Sequence, residues 1–489
     1  MNTLDRIISY FSPGSALKRA QTRAAAHAIL SYEAVRSERR RGGWFTQSTS
    51  GNAEIGPAIG KLRDDARDLR RNNSYGRRAV REWSKRVVGY GITPRPAAGP
   101  FAARIKARWD QWSQQCMSDR RMPFSAAERL IVSSRFTDGE VLVRLWDRRV
   151  GDGLAVPFQI QVLESDYLDT SITRGTDAGY IIQGVEFDSL GRIRGYWLFG
   201  QHPGDVLQMS ARGISSRFIS AEAVLHHLEI ERPGDVRSVS EFCAAMAKLR
   251  DIDEYSDAEI VRKKIEACLT AFVQQPEGAD GPSTGEKVTD ADGNTVEKFA
   301  PGMVMYGPPG AGVELFAPSS GGNYAEHKKT ELREVAVGLG IPYVLLDDNL
   351  EAVNYSSYRG GLLAYKDSIE EYRWNWLIPQ VLDPIWRKFI DTLVLNGDIP
   401  EPFYEHSWDA PPFELLDRGA EAEADRAELQ IGKKTWPQLI GEQGNDPEQQ
   451  ISEIESWRTR LESAGVTFAR STTSTEGGNN GAQAPNPAN

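Results

Sequence analysis

The sequence predicts an α+β protein assembled from several regions in succession, and three observations lead there. Apolar residues recur at helical spacing through 57–138, β-rich runs separated by turn residues fill 139–231, and long helical patterns return after Ser240. A chain of 489 residues exceeds the usual single-domain size, so two or three structural regions around a large core are expected.

Residues 1–56 read as an N-terminal arm, with a short helix through Leu4, Ile7, Ile8 and Phe11 and an exposed loop at Arg39–Gly43. The region 57–237 opens with two densely basic helices. Leu62, Ala66 and Leu69 share one face, Asn73-Ser74 breaks the run, and Tyr75, Ala79, Val80, Trp83 and Val87 mark a second face before Gly89 and Gly91. Phe101, Ile105, Trp109, Trp112 and Cys116 trace a third helix. Ser125 with Glu128 reads as the capping box of a fourth, ending at Asp138-Gly139. The runs EVLVRLW, FQIQVLES, YIIQGVEF, IRGYWLF and VLHHLEI then predict a mostly antiparallel β region, with a hairpin loop at Asp188–Gly191.

Residues 238–273 carry a stripe of Phe242, Met246, Leu249 and Ile252, the mark of one long helix. The segment 274–318 holds a polar, Gly-rich insert, then MVMYG and VELFAP as short strands around a Pro-Gly turn. A helix is expected within 319–339. Region 340–413 contains the polar stretch DDNLEAVNYSS and a long helix through Leu362, Tyr365, Ile369, Tyr372 and Trp376. Two acidic helices fall within 414–466, and 467–489 has the composition of a disordered tail.

The net charge of −10 conceals an asymmetry. Residues 1–150 hold 29 Lys and Arg against 14 Asp and Glu, leaving 29 against 54 for the remainder. A basic part joined to an acidic part points to nucleic acid, or to subunits that pack unlike surfaces together. Three cysteines without a CxxC pair point to a reducing compartment and to neither disulfide staples nor a zinc site. No apolar run is long enough for a membrane span, so no membrane partner is expected.

The motifs that mimic catalytic sites fail on chemistry. Gly307–Gly312, GPPGAG, starts like a phosphate-binding loop, but Val313 and Glu314 stand where Lys and Ser or Thr must contact phosphate and magnesium. A Pro-Gly turn is the better account. His226 and His227 are neighbours on a strand and point to opposite faces, so they do not share an ion. Asp347, Asp348 and Glu351 could form a magnesium site, yet no second acidic cluster accompanies them, and a polar loop is favoured. The aromatic residues of 355–376 have helix-packing spacing rather than the pattern of a base-stacking platform. The expectation is therefore no enzyme, no cofactor and no metal.

Several separate stretches resemble one family, the portal proteins of lambda-type tailed phages. They are 61–96 (KLRDDARDLRRNNSYGRRAVREWSKRVVGYGITPRP), LESDYLD at 163–169, GVEFDSLGRIRGYWLF at 184–199, HHLEIERPGDVRSVSEF at 226–242, 316–373, and GKKTWPQLIGEQGNDPEQQISEI at 432–454. Family members usually carry Gln and Gly where this chain has Asp235 and Ser238, and 274–300 matches nothing in the family. The resemblance implies a portal-type subunit: a mixed α/β wing over 57–237, stem helices at 238–273 and 319–339, and a small β-containing clip at 274–318. A tunnel loop and long wing helix would follow at 340–413, then a helical crown at 414–466. It also implies a homo-oligomeric ring, generally of twelve subunits, at one capsid vertex of the virion and assembled in the bacterial cytoplasm. Double-stranded DNA would pass through it without sequence readout. Terminase, head-completion proteins, and major capsid and scaffolding proteins would be its partners.

On this scheme Asp347, Asp348, Asn349, Glu351, Asn354, Tyr355 and Ser356 would line the tunnel, a polar surface without Lys or Arg that suits a sliding duplex. Lys328, Lys329 and Arg333 would face DNA from the stem. Arg63, Arg67, Arg70, Arg71, Arg77 and Arg78 would meet acidic surfaces of neighbouring subunits or the capsid. Two other readings compete: an ATPase or nuclease component of packaging, and a DNA-binding capsid-assembly scaffold.

Overall fold

The computed structural model describes residues 49–205, 215–274, 287–289, 295–297, 303–307, 324–349, 355–411, 418–442 and 447–463. The expected arm helix, the Arg39–Gly43 loop, the strand VELFAP, most of the polar insert and the 467–489 tail lie outside these residues. The chain divides into two compact units, meeting in sequence between Leu416 and Asp417.

In the first unit, α1 (Gly51–Asn72) and α2 (Ser74–Val88) form the expected basic pair. Asn73 separates them because its side chain accepts the Gly76 N–H, capping α2. The apolar faces read from spacing are the buried ones: Leu62 and Ala66 on α1, and Ala79, Val80, Trp83 and Val87 on α2. After Gly89 comes β1 (Thr93–Pro96), then α3 (Ala102–Ser113) and α4 (Phe124–Asp138). Gly139 closes α4 in a left-handed conformation, φ 89°, and a Cβ there would meet the Val239 carbonyl at 2.5 Å. Only glycine fits.

The start of α4 departs from expectation. Pro123 occupies the N-cap without a side-chain cap, and Glu128 does not reach back to Ser125. It is buried, and its Oε2 accepts the Ile92 N–H at 3.1 Å, tying the turn after α2 into the core. Burial pushes the Glu128 carboxyl up to about 8, against the opposing effect of the Ile92 hydrogen bond. In the unfolded chain a glutamate titrates near about 4.3, so folding takes up a proton between that value and 8. Stability contributed by Glu128 is complete below the lower value and is lost as pH rises through the upper one. Glu128→Gln should flatten this slope; thermal melts of both proteins at pH 6 and pH 8.5 check it.

The β region forms two antiparallel sheets. The first has strand order β3-β2-β9, with β2 (Glu140–Asp147) between β3 (Phe158–Leu163) and β9 (Val224–Leu228). The second has order β4-β5-β6-β7-β8: β4 (Arg174–Thr176), β5 (Gly179–Ile182), β6 (Val185–Asp188), β7 (Ile193–Phe199) and β8 (Ser216–Ser220). YIIQGVEF is thus two strands, not one. Gln183 and Gly184, with φ of 47° and 84°, make the two-residue turn between β5 and β6. Leu142, Leu163, Leu168, Val185, Tyr196, Leu198 and Val224 pack between the sheets.

The expected single helix over 238–273 is shorter. A turn of 3-10 helix (Glu241–Ala244) precedes α5 (Met246–Cys268), and the chain then becomes β10 (Leu269–Gln274). β10 pairs in parallel with β13 (Met303–Gly307), while β11 (Lys287–Thr289) and β12 (Thr295–Glu297) make a small hairpin. Helix α6 (Tyr324–Gly338) is followed by a short helix, α7 (Tyr343–Asp347), which apolar spacing over so few residues did not reveal. α8 (Tyr355–Tyr372) continues into ten residues of π-helix (Arg373–Leu382) and then α9 (Asp383–Leu395). Pro379 lies in the π segment, where the wider turn accommodates a ring that would clash with the preceding turn of an α-helix. β14 (His406–Asp409) returns to pair with β1.

In the second unit, α10 (Arg418–Gln430), α11 (Trp436–Glu442) and α12 (Pro447–Ser463) supply the acidic helices, with α11 an addition to the expected two. Among the described residues no helix is long and apolar enough to cross a membrane.

Candidate functional site

Some of the residues expected to face DNA lie on α6 and at the end of α7, helices that meet each other and α2. Leu332, Val335 and Ala336 of α6 and Leu345 and Leu346 of α7 are buried in the main core, which fixes the backbone from which the 348–354 segment departs. Arg78 braces it. Its Nε donates to the Leu345 carbonyl at 3.0 Å and its NH2 to Asp348 Oδ1 at 3.1 Å, so an α2 side chain satisfies a carbonyl at the end of α7. Asp348 caps α7 with a left-handed backbone, φ 59°. Asp347 accepts the Tyr343 hydroxyl at 2.7 Å. Burial and the neighbouring Asp347 push that phenol up to about 12.

Of the seven residues expected to line a tunnel, Asp347, Asp348 and Asn349 thus sit at the end of α7. Tyr355 and Ser356 open α8. Glu351 and Asn354 lie outside the described residues. Asp348 and Asn349 are exposed and Asp347 is half-buried.

The three stem cations differ from one another. Lys328 turns inward: its Nζ lies 3.2 Å from the Tyr324 hydroxyl, 3.3 Å from Ser256 Oγ and 5.7 Å from the Tyr75 ring centre. The half-buried ammonium is thus held within the chain by two tyrosines and a serine. Lys329 is half-buried, and Arg333 is exposed with its guanidinium 5.6 Å from the Tyr343 ring.

The arginines of α1 are likewise engaged within the chain. Arg63 is 3% exposed, donates to Ser165 Oγ at 2.6 Å and pairs with Asp166 at 3.3 Å. It cannot meet another subunit or the capsid, which corrects the sequence expectation. Arg67 is half-buried and bridges Asp138 and Asp166 at 2.7 and 2.6 Å, with Glu164 at 3.3 Å. Burial would lower its pKa, but the Asp138 and Asp166 carboxylates outweigh that and raise it. Arg70 reaches Thr137 Oγ1 at 3.2 Å and Ser133 Oγ at 3.4 Å on α4. Arg71 and Arg77 remain exposed. The partners lie 63 to 102 residues away in the chain, so helical periodicity alone could not show that this basic face is an internal seam.

Glu164, Asp166 and His202 bring ligand atoms within 4.8 Å of one another. The Arg67 guanidinium sits against both carboxylates and supplies the positive charge the group needs, so the donor set does not call for an ion.

Sequence reasoning also missed two buried polar clusters. Arg237 and Glu140, both fully buried, form a bidentate pair, and His226 adds a contact to Glu140 at 2.9 Å. His227, on the opposite strand face, lies 2.7 Å from both Gln380 Oε1 and the Tyr372 hydroxyl. Burial lowers the His227 imidazole to about 3, so it is neutral. The two histidines are structural and separate, as strand alternation requires.

With this geometry in place, comparison with known proteins is informative. The family described as "Phage portal protein, lambda family" matches residues 37–373. A "Probable portal protein" of Halomonas phage phiHAP-1 is 26% identical over 464 residues, covering 89% of this chain and 87% of that protein. "Portal protein B" of Escherichia phage lambda is 22% identical over 352 residues, covering 65% and 66% respectively. Among solved structures, a chain of a native gene transfer agent virion has a TM-score of 0.40 at 15% identity, covering 86% of this chain and 99% of that one. A chain from the neck of the native particle, computed with C12 symmetry, also gives 0.40.

Proposed function

This chain belongs to the lambda family of phage portal proteins, and from that premise we propose that it forms a ring of twelve subunits at the capsid vertex. Double-stranded DNA passes through this ring during packaging and ejection. The ring acts as a structural conduit, with no catalytic chemistry of its own, in the virion after assembly in the host cytoplasm. Terminase docks on it during packaging and head-completion proteins dock afterwards; major capsid and scaffolding proteins surround it during assembly.

The observation that carries this reading is the family match across residues 37–373, more than half of the chain. The site geometry supports it. A conduit needs a polar rim on a firm base, and the Asp347–Asn349 rim departs from α7, which is anchored in the core and braced by Arg78. Tight phosphate binding would stall a moving duplex, and the segment 347–358 contains no Lys or Arg. Lys329 and Arg333 form weak basic rings on the stem, and the exposed Arg71 and Arg77 meet other subunits or the capsid.

Ring symmetry repeats each charge in every subunit, so a single substitution acts many times over. Lys329→Glu is expected to lower the yield of DNA-filled heads at least ten-fold in a packaging assay, with ring assembly retained. Unchanged packaging by rings of the variant would remove Lys329 from the DNA path.

A further inference from the structure

We propose that Arg144 and Arg148, stacked on Trp146 at one end of the three-stranded sheet, are the basic half of a head-to-tail contact between copies of this chain. The acidic half is Glu229, Glu231 and Glu371 at the opposite end of that sheet in the next copy. The inference rests on the ring reading above and names the residues that close the ring.

The basic end is unusual in lacking a counter-charge. The Arg144 guanidinium lies 3.9 Å from the centre of the Trp146 ring and that of Arg148 lies 5.4 Å from it. Arg148 Nε donates to Gln159 Oε1 at 2.9 Å, and Trp146 Nε1 to Gln161 Oε1 at 3.0 Å. Among the described residues no carboxylate pairs with either arginine. Asp147 is taken by Lys388 at 2.7 Å, and Asp152 accepts the Arg149 backbone N–H. Burial lowers the Arg144 guanidinium with no carboxylate to offset it. Two half-buried guanidiniums held by one indole and two glutamines form an ordered set of donors for a carboxylate.

The acidic end has the opposite imbalance. The buried Arg135 pairs with Glu229 at 2.5 Å and with Glu241 at 2.6 Å, so one cation already serves two carboxylates. Glu231 and Glu371, both exposed, add further negative charge beside Glu229. Burial first, and then these neighbours, raise the Glu229 carboxyl above its usual value, in spite of Arg135.

The two ends belong to one rigid element. β2 pairs with β9 in the register Glu140↔Leu228 and Arg144↔Val224. Glu229 follows Leu228 directly, which separates it from Arg144 by about 17 Å along the strands. Unlike patches at opposite ends of one sheet cannot meet within a chain. They are complementary between neighbours in a rotationally closed ring, where each subunit presents one patch forwards and the other backwards.

Charge reversal tests this directly. Purified chains carrying Arg144→Glu with Arg148→Glu, or Glu231→Arg with Glu371→Arg, are each expected to lose the ring peak in size-exclusion chromatography while keeping the wild-type circular dichroism. An equimolar mixture should regain it, because alternating the two variants puts opposite charges at every junction. Rings formed by either variant alone as readily as by wild type, or a mixture that stays dissociated, would overturn the assignment. The milder pair Arg144→Gln with Arg148→Gln, which adds no repulsion, should at least halve the salt concentration that dissociates rings. Unchanged salt resistance would equally overturn it. Wild type that forms no ring at all is a separate result: it removes the ring reading on which this contact depends.

Discussion

Arg237→Ala is expected to cost about 3–5 kcal/mol of stability, because it strands the fully buried Glu140 carboxylate without its cation. Burial alone would raise the Glu140 carboxyl, but Arg237 and then His226 override it and hold it well below the usual carboxylate range. A carboxylate depressed by folding contributes stability that is present above its unfolded pKa and lost as pH falls through the folded one. In the variant this contribution reverses: Glu140 now favours the protonated form, so the stability deficit should shrink as pH is lowered from 7 towards 5. Urea unfolding at both pH values reads this, and a deficit below about 1 kcal/mol at pH 7 would show that the pair contributes little net. The pair has structural reach. Glu140 starts β2, and Arg237 lies in the segment that leaves β9 for α5, so the bond joins the sheets to the long helix that follows.

Trp109→Ala should cost a similar amount, about 3–5 kcal/mol, by opening a cavity in the aromatic centre of the first unit. Trp109 touches Trp112, Phe124, Trp386, Phe389 and Trp408 with ring centres 4.7 to 6.4 Å apart. It therefore holds α3 and α4 against α9 and β14, elements far apart in the chain, from Asp138 at the end of α4 to Asp383 at the start of α9. The surrounding rings cannot all collapse into the space, since Trp112, Trp386 and Phe389 are themselves fully buried. Differential scanning calorimetry measures the loss; a shift under about 2 °C would mean that the site relaxes to fill the gap.

How much of this was readable beforehand follows from the range of each interaction. The faces of α1 and α2, the stripe on α3 and the Asp188–Gly191 turn depend on neighbours within one or two turns of chain, and spacing alone exposes them. Signals that tertiary contact overrides were misread. Ser125 and Glu128 have capping-box spacing, but Glu128 is drawn into the core by the Ile92 N–H. Residues 269–273 follow a helical pattern and become part of a strand because β13 lies alongside.

The same distinction governs the site. Composition identified the basic pair α1–α2 and the polar segment after α7, and the wording of separate stretches identified the family. What composition could not reveal is where each charge is spent. Arg63 and Arg67 meet Asp138 and Asp166, Lys328 enters an aromatic cage, and Arg78 is a brace for the very segment expected to face DNA. Conversely the strand carrying Arg144 and Arg148 shows only apolar alternation in sequence, yet among the described residues no carboxylate pairs with either arginine.

The most direct test of the central claim is electron microscopy of the purified chain in negative stain. Twelve copies of a 54.3 kDa chain predict closed rings of about 650 kDa with an axial hole. A protein that stays monomeric across concentration and salt, with no rings in any field, would contradict it.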